Sequence, residues 1–587
     1  MKNNYLEPFF LLFLVSVLCF SCAHVEAPTG GPKDVKPPVV LECEPPNYST
    51  NFSADKIVIH FDEFVNLVNA NQQVIISPSF KEMPEFILRK KNLLIRFQEK
   101  PKENTTYNIF MGDAIADVNE NNVLRNYHYV FSTGSYLDSM IIKGNVVDAY
   151  TLKPDKDMFV MLYDKYADTL PFKTRPSYLT KTDDKGNFVL YNLKPNKYKI
   201  FALKDMNSNF LYDQTSEQIA FLDTLINAET NYVQDIHILT KNDSIKLDSL
   251  RKIKSVDTIN LIPKYIEKNI IHHLFFYKEQ DSILKLINAK TLEKGCFQLI
   301  LNSPAKNILL TPLNFNPSKD WIIEDKNKTN DTIKYWLPDF APDSLIAKVS
   351  VGNKVLDTIR LSMKNVFTSK KNENKMNKFF YKLNVKNKEN LGYFKDFVLT
   401  STRPVASYDF SKITMTIKKD TSIIKIINPE VFVLDSLKKT FAIKYKWNDD
   451  YSYKLFIPPS TFKDVFGFAN DTIQVAFKIS PAESYGNIKL KVTLPEVVDS
   501  PLLLLMTDDK GTVLQSVSLS QNHIAELKNI TPGNYRFKLV FDVNGNGKWD
   551  EGNYLKKIQP EKIVNYPELL NVRANWDSDL EWKIEIK

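Results

Sequence analysis

Near its C-terminus the chain reads Asp542-Val-Asn544-Gly-Asn546-Gly547-Lys-Trp-Asp550-Glu551-Gly-Asn553. Oxygen-bearing side chains at alternate positions can converge on one cation, and the glycine behind them permits a sharp turn, which is how the first half of a calcium loop is built. The twelfth position, where a bidentate glutamate would close the shell, is Asn553. Asp550 or Glu551 would have to complete a weak site. The same residues also suit an Asx-rich turn between two strands, with side chains bonded to local backbone. A poorer version, Asp205-x-Asn207-x-Asn209 with Asp213, has Phe210 in the place of the glycine. Neither loop is a device for catalysis.

Other chemistry is sparse. The chain has no GxSxG, HExxH or GxxxxGK[ST] run, so the common nucleophile, zinc and phosphate motifs are missing. His272 and His273 are adjacent in a strand-like run and point to opposite faces, which keeps both from one ion. His60, His128, His237 and His523 stand singly in or near strands. Asp62 and Glu63 are neighbours on an extended chain and diverge, so they do not form an acid and base pair. Lysines are scattered, as at Lys418-Lys419, Lys438-Lys439 and Lys556-Lys557, and a net charge of +8 over 587 residues is a mild excess. No basic block interleaves with aromatics, so solvated strand faces are preferred to a nucleic-acid partner.

The first residues set the address. Phe9 to Phe20 is an uncharged run behind Lys2 that ends at Ser21-Cys22. A dozen apolar residues are too few for a permanent span, which needs roughly 20, and fit the core of a secretory signal. Ser21-Cys22 resembles the lipobox of bacterial lipoproteins, and the resemblance implies that residues 1–21 are a signal peptide and that Cys22 carries lipid. Ala23 to Pro46 holds Pro28, Gly30, Gly31, Pro32, Pro37, Pro38, Pro45 and Pro46. Such a composition reads as an extended tether, assigned to residues 22–38. Beyond Cys22 only Cys43 and Cys296 remain, in different domains, so the cores must hold without a disulfide framework.

The elements behind these residues are strands. Lys56-Ile-Val-Ile-His-Phe61, Tyr127-His-Tyr-Val-Phe131 and Ile473-Gln-Val-Ala-Phe477 alternate with period two and are rich in β-branched and aromatic residues, which predicts half-buried β-strands. Ser244 to Lys254 is the best helical pattern. Two module types recur in the same order. Tyr107-Asn-Ile-Phe110, Ala116-Asp117 and Tyr129-Val-Phe131 return as Tyr453-Lys-Leu-Phe456, Lys463-Asp464 and Val475-Ala-Phe477. Pro195-Asn-Lys-Tyr198 leading to Asp205 returns as Pro532-Gly-Asn-Tyr535 leading to Asp542.

Residues 39–134, with Phe61-Asp62-Glu63 after the first long strand, resemble the bacterial Ig-like domain of S-layer-type proteins. Residues 138–240, with Gly144-Asn-Val-Val147, Leu162-Tyr163, Gly186-Asn-Phe188 and Tyr198, resemble the carboxypeptidase-regulatory-like, transthyretin-like sandwich. Residues 370–480 and 485–587 resemble the same two in turn, with Gly486-Asn-Ile-Lys-Leu490 serving as the opening strand of the last. Residues 241–269 read as a linker and 270–365 as a further β-sandwich. The expected fold is mostly β, in tandem Ig-like and transthyretin-like sandwiches.

These observations favour a non-enzymatic outer-membrane lipoprotein, lipid-anchored, that is a structural or partner-binding component of the envelope. Its expected partners are outer-membrane proteins, with calcium as a candidate ion at Asp542, Asn544, Asn546, Asp550 and Glu551. The alternative is a surface carbohydrate-binding lipoprotein using Trp549, Trp576 and Trp582 to stack glycans, and a third reading is a hydrolase with its site in 270–365. A coplanar row of exposed aromatics would favour glycans, a flat apolar surface a protein partner, and a deep polar cleft an enzyme.

Overall fold

The computed structural model describes residues 33–214, 216–229, 270–279, 283–338, 343–363, 378–420, 422–495, 498–520 and 522–585. Cys22, the signal and most of its tether, the linker 241–269 and the helical pattern at Ser244 to Lys254 lie outside them. The described chain is nearly all β. It divides into two compact units, residues 1–145, 156–211 and 224–273 in the first, and 146–155, 212–223 and 274–587 in the second.

In the first unit, Lys56–Phe61 lies between Val40–Glu44 and Asn92–Arg96, with Glu85–Arg89 outermost, all antiparallel. The facing sheet has the order His128–Ser132, Thr106–Phe110, Ile75–Ser77. Alternation does the sorting, since Ile57, Ile59 and Phe61 are buried while Lys56 is exposed. The interior is a stack of rings, with Tyr107 5.2 Å from Phe131 and 4.8 Å from Phe80. Burial of each such side chain contributes about 1.5–3 kcal/mol, and stacking adds specificity of position.

The next module in this unit is a second sandwich. Phe159–Tyr163 runs between Tyr178–Lys181 and Lys197–Lys204, and the strand through Met140 to Asn145 pairs with Asn187–Leu193. Gly144 has no room for a side chain, because a Cβ there would come within 2.1 Å of His272 O and 2.5 Å of the Phe188 ring. Tyr198 closes the turn before its strand by donating its hydroxyl to Lys194 O at 2.8 Å.

The second unit holds three sandwiches. In the first, Leu286–Glu293, Cys296–Leu301, Thr332–Trp336 and Ile323–Lys326 face Ile308–Pro312, Ser344–Val351 and Lys354–Ser362 across a core that includes Phe297, Leu299, Tyr335 and Val349. Cys296 lies on the other face of its strand from Phe297, opposite Trp336, where burial pushes its thiol up to about 12. The strand His272–Lys278, which the sequence groups with this sandwich, instead pairs with Gln218–Phe221, Ile219 opposite Tyr277. Its hydrogen-bonding edge found a partner outside the expected boundary, which periodicity cannot reveal.

The Ig-like repeat follows. Its five-stranded sheet has the order Asn390–Gly392, Ile473–Ser480, Ser452–Ile457, Thr414–Lys419, Ser422–Ile427. The last module places Gly486–Thr493 between Ile524–Ile530 and, in parallel, Asp577–Lys583. Tyr535 donates to Thr531 O at 2.7 Å, the counterpart of Tyr198. Gly486, however, is not the counterpart of Gly144. Ile142 pairs with Leu190 and Ile488 with Leu527, so Leu490 holds the position of Gly144, and Gly486 is required instead by Arg573 O, 2.6 Å from where its Cβ would be.

Val146–Asp155 and Tyr212–Asp223, assigned by sequence to module 138–240, belong to the second unit. Tyr150 packs 5.1 Å from Trp549, and Lys538 Nζ donates to Tyr150 O at 2.7 Å. Phe221 meets the Tyr554 ring edge-on at 5.0 Å. The terminal module therefore closes on pieces contributed from far upstream.

Candidate functional site

The loop after Gly533–Phe541 folds around its own first residue. Asp542, 2% exposed, accepts from Asn546 N at 3.0 Å and from Gly547 N at 2.8 Å. Gly547 has φ +75°, the left-handed conformation that favours glycine. Asn544 and Asn546 both donate their amides to Asp550, and Lys548 Nζ lies 3.0 Å from its other oxygen. Burial pushes the Asp550 carboxyl up, but these donors outweigh it and hold it below the usual carboxylate range.

Glu561 closes the loop. It accepts from Val543 N at 2.8 Å and from Asp550 N at 3.1 Å, and burial raises its pKa. Sequence reasoning missed Glu561 and named Glu551, because a residue at the far end of the connection, just before Ile563–Asn565, is invisible to spacing within the motif. The upstream loop is similar in miniature. Asp205 accepts from Asn207 N, Ser208 N and Phe210 N at 3.0, 2.7 and 2.7 Å, and Phe210 takes the left-handed conformation at φ 62°. Among the described residues no group of three or more His, Cys, Asp or Glu side chains could hold a metal. In both loops the oxygens are engaged by the chain's own donors, as an Asx turn requires.

A polar cleft of 340 Å³ lies in the first unit, lined among others by Arg125, His128, Lys156, Lys181, Asp183 and Tyr191. It is not in residues 270–365, where the third, hydrolase reading would put its site. Burial lowers the pKa of His128 to about 4, and its Nδ1 is 2.9 Å from Asn108 Oδ1. Lys156 pairs with Asp184 at 3.0 Å, while Lys181 donates to Gln72 O at 2.7 Å and has its pKa lowered by burial. The histidine is bonded to an amide, and the lining carries no serine or cysteine, its hydroxyls being those of Thr180, Thr182 and Tyr191. Asp62 accepts from Val39 N at 2.8 Å and so closes the end of the ladder between Val40–Glu44 and Lys56–Phe61. The three C-terminal tryptophans form no row: Trp582 is 4% exposed and Trp576 56%, and Trp549 donates to Glu561 O at 2.9 Å.

The strongest charged cluster is one the sequence did not announce. Arg403 is 3% exposed. Its guanidinium makes a two-pronged contact with Glu293, donates to Asp464 Oδ2 at 3.0 Å and to Lys378 O at 3.3 Å, and lies 5.2–5.8 Å from the rings of Phe380, Phe466 and Phe468. Lys439 reaches Asp325 at 2.6 Å nearby. Planar donors matched to a carboxylate and stacked on rings make a joint between the Ig-like repeat and the sandwich before it.

The place of Arg403 is set by the repeat. Val65 pairs with Asp117 as Val405 pairs with Asp464, and Val118 N donates to Phe64 O as Val465 N donates to Pro404 O. Arg403 thus stands where the first module has Glu63. Residues 34–133 match the bacterial Ig-like domain family. Beyond that bacterial Ig-like domain, similarity is thin. The major pilin subunit BcpA of Bacillus cereus is 10% identical over 76% of this chain and 99% of its own, with a TM-score of 0.14. The S-layer protein rSbsC(31-844) is 10% identical over 90% of this chain and 66% of its own, TM-score 0.13, and the I9-I11 tandem of titin is 11% identical over 51% and 100%, TM-score 0.12. Likenesses of this size carry no argument about arrangement or activity. No curated protein matches the chain.

Proposed function

We propose that the chain is a non-enzymatic component of the cell envelope, an outer-membrane lipoprotein held by Cys22, and that it works by presenting surfaces to other outer-membrane proteins. The observation that supports this reading is where the buried charge is used. Arg403 links Glu293 to Asp464, and Asp542 and Glu561 bind local amides, so the costly polar groups fasten modules and turns. Module interiors are filled with aromatic and aliphatic side chains, which leaves edges and loops for recognition.

Two experiments test it. Cys22→Ala should abolish acyl labelling and move the protein from membranes to the soluble fraction, and a variant that resists carbonate washing would sink the anchor. Crosslinked complexes from membranes should be unchanged by His128→Gln in the polar cleft. Loss of the cellular phenotype in that variant, with every subunit of the complex retained, would favour an enzyme. Deleting residues 485–587 is a poor probe, because it would expose Tyr150 and Phe221 as well.

A further inference from the structure

The two Ig-like modules treat one sheet edge differently. In the first, Ile75–Ser77 ends the sheet, and Ser77 Oγ donates to Leu179 O at 2.9 Å and accepts from Leu179 N at 2.8 Å. A strand of the neighbouring sandwich, Tyr178–Lys181, thereby covers that edge. In the second, the equivalent strand Thr414–Lys419 carries one strand more, Ser422–Ile427, which among the described residues pairs with Thr414–Lys419 alone. Its outer amides and carbonyls form an open template. Ile423, Ile424 and Ile426 are 58%, 57% and 60% exposed, on a strand whose ladder is broken between Ile417 and Lys418.

The surroundings define what fits. Beside the strand is a 260 Å³ pocket with Ile424, Lys425, Tyr445, Trp447 and Tyr451 in its lining. Lys418, Lys419 and Lys425 lie on this hairpin with Asp420 as its one acid. A second copy would bring the same lysines to the interface with Asp420 again the one acid of its hairpin, so like charges would gather there. We propose that Ser422–Ile427 is a docking edge for an extended segment of a partner protein in which apolar residues alternate with aspartate or glutamate. Main-chain hydrogen bonds would supply affinity, and the isoleucines, the pocket and the lysines would supply choice.

This inference rests on the partner-binding reading above and deepens it. The test uses the full-length protein and a short labelled peptide of alternating glutamate and valine. Saturable binding is expected. It should weaken at least about tenfold when alternate peptide amides are N-methylated, when lysine replaces glutamate, or in the Ile423→Ser/Ile426→Ser variant, whose fold is checked by circular dichroism. Equal binding of the N-methylated peptide, or no saturable binding, would overturn it. So would a concentration-dependent dimer that the same variant dissolves, since the occupant would then be a second copy. The outcomes stay separable from those of the broader reading, because anchoring and complex composition do not depend on the peptide, and a catalytic cleft would not alter peptide binding.

Discussion

The first Ig-like module and its repeat share a ladder and differ in what their surfaces meet. Tyr107 and Phe131 correspond to Tyr453 and Phe477, and each pair is stacked, at 5.2 and 5.7 Å. Inside, the copies are the same solution to packing. At one end Glu63 becomes Arg403, and an acidic end becomes a joint to Glu293. On the sheet, Ser77 becomes Thr416, and a hydroxyl bond to the next sandwich gives way to backbone pairing with Ile426. His128, opposite Phe110, becomes Gln474, opposite Phe456. Duplication preserved the core and released the rim, where single substitutions choose the neighbour.

The comparison breaks most severely at Arg403. Arg403→Met should cost about 3–5 kcal/mol, because Glu293 and Asp464 would be left as buried carboxylates without a cation. Hydrogen exchange should show loss of protection in Thr332–Trp336 and Phe462–Asp464, and unaltered exchange would refute the joint. Glu63→Gln at the matching position should be close to neutral.

Acid should separate the modules next. His128 has its pKa lowered to about 4 in the folded state, so the unfolded chain takes the proton more readily. Its contribution to stability is complete above the ordinary histidine value of about 6.5 and is lost as pH falls from there through 4, by at most about 3 kcal/mol. Amide protection in Thr106–Phe110 should fall over this range more than in Ser452–Ile457, and His128→Gln should erase the difference. An equal fall in both modules of the wild type would show that His128 is not its source.

A smaller effect is expected at the covered edge. Ser77→Ala leaves Leu179 N and O without their partner, at about 1–3 kcal/mol, whereas Thr416→Ala should cost less. Equal losses measured by urea denaturation would remove the distinction between a bridged and a paired edge. Calcium should act least. If the Asp542 loop exchanges its own donors for calcium, an affinity of the order of 10⁻⁴ to 10⁻³ M lets millimolar calcium stabilise it by about 0.4–1.4 kcal/mol. Isothermal titration of the full-length protein without heat, and a melting temperature that does not move, would leave the turn alone.

Much of this architecture is written locally. Period-two alternation in Lys56–Phe61 and Ile473–Ser480 determines which side chains are buried once a strand forms, and the recurrence of Tyr198 as Tyr535 marks a turn whose hydroxyl bond spans four residues in both copies. Such features depend on neighbours along the chain, so the sequence alone was sufficient for the strands and the mostly β fold, while it left the Asp542 loop open between an Asx turn and a calcium site. It was insufficient wherever the partner is remote. Arg403 meets Glu293 across 110 residues, Glu561 returns to Val543 from 18 residues downstream, Tyr150 reaches Trp549, and Leu490 rather than Gly486 inherits the place of Gly144. Ser-Thr-Arg-Pro looks like any surface turn until the end of one sandwich is set against another. Tertiary structure decided these because burial turns an ordinary ion into an anchor only when register and packing bring its counter-ion within hydrogen-bonding reach.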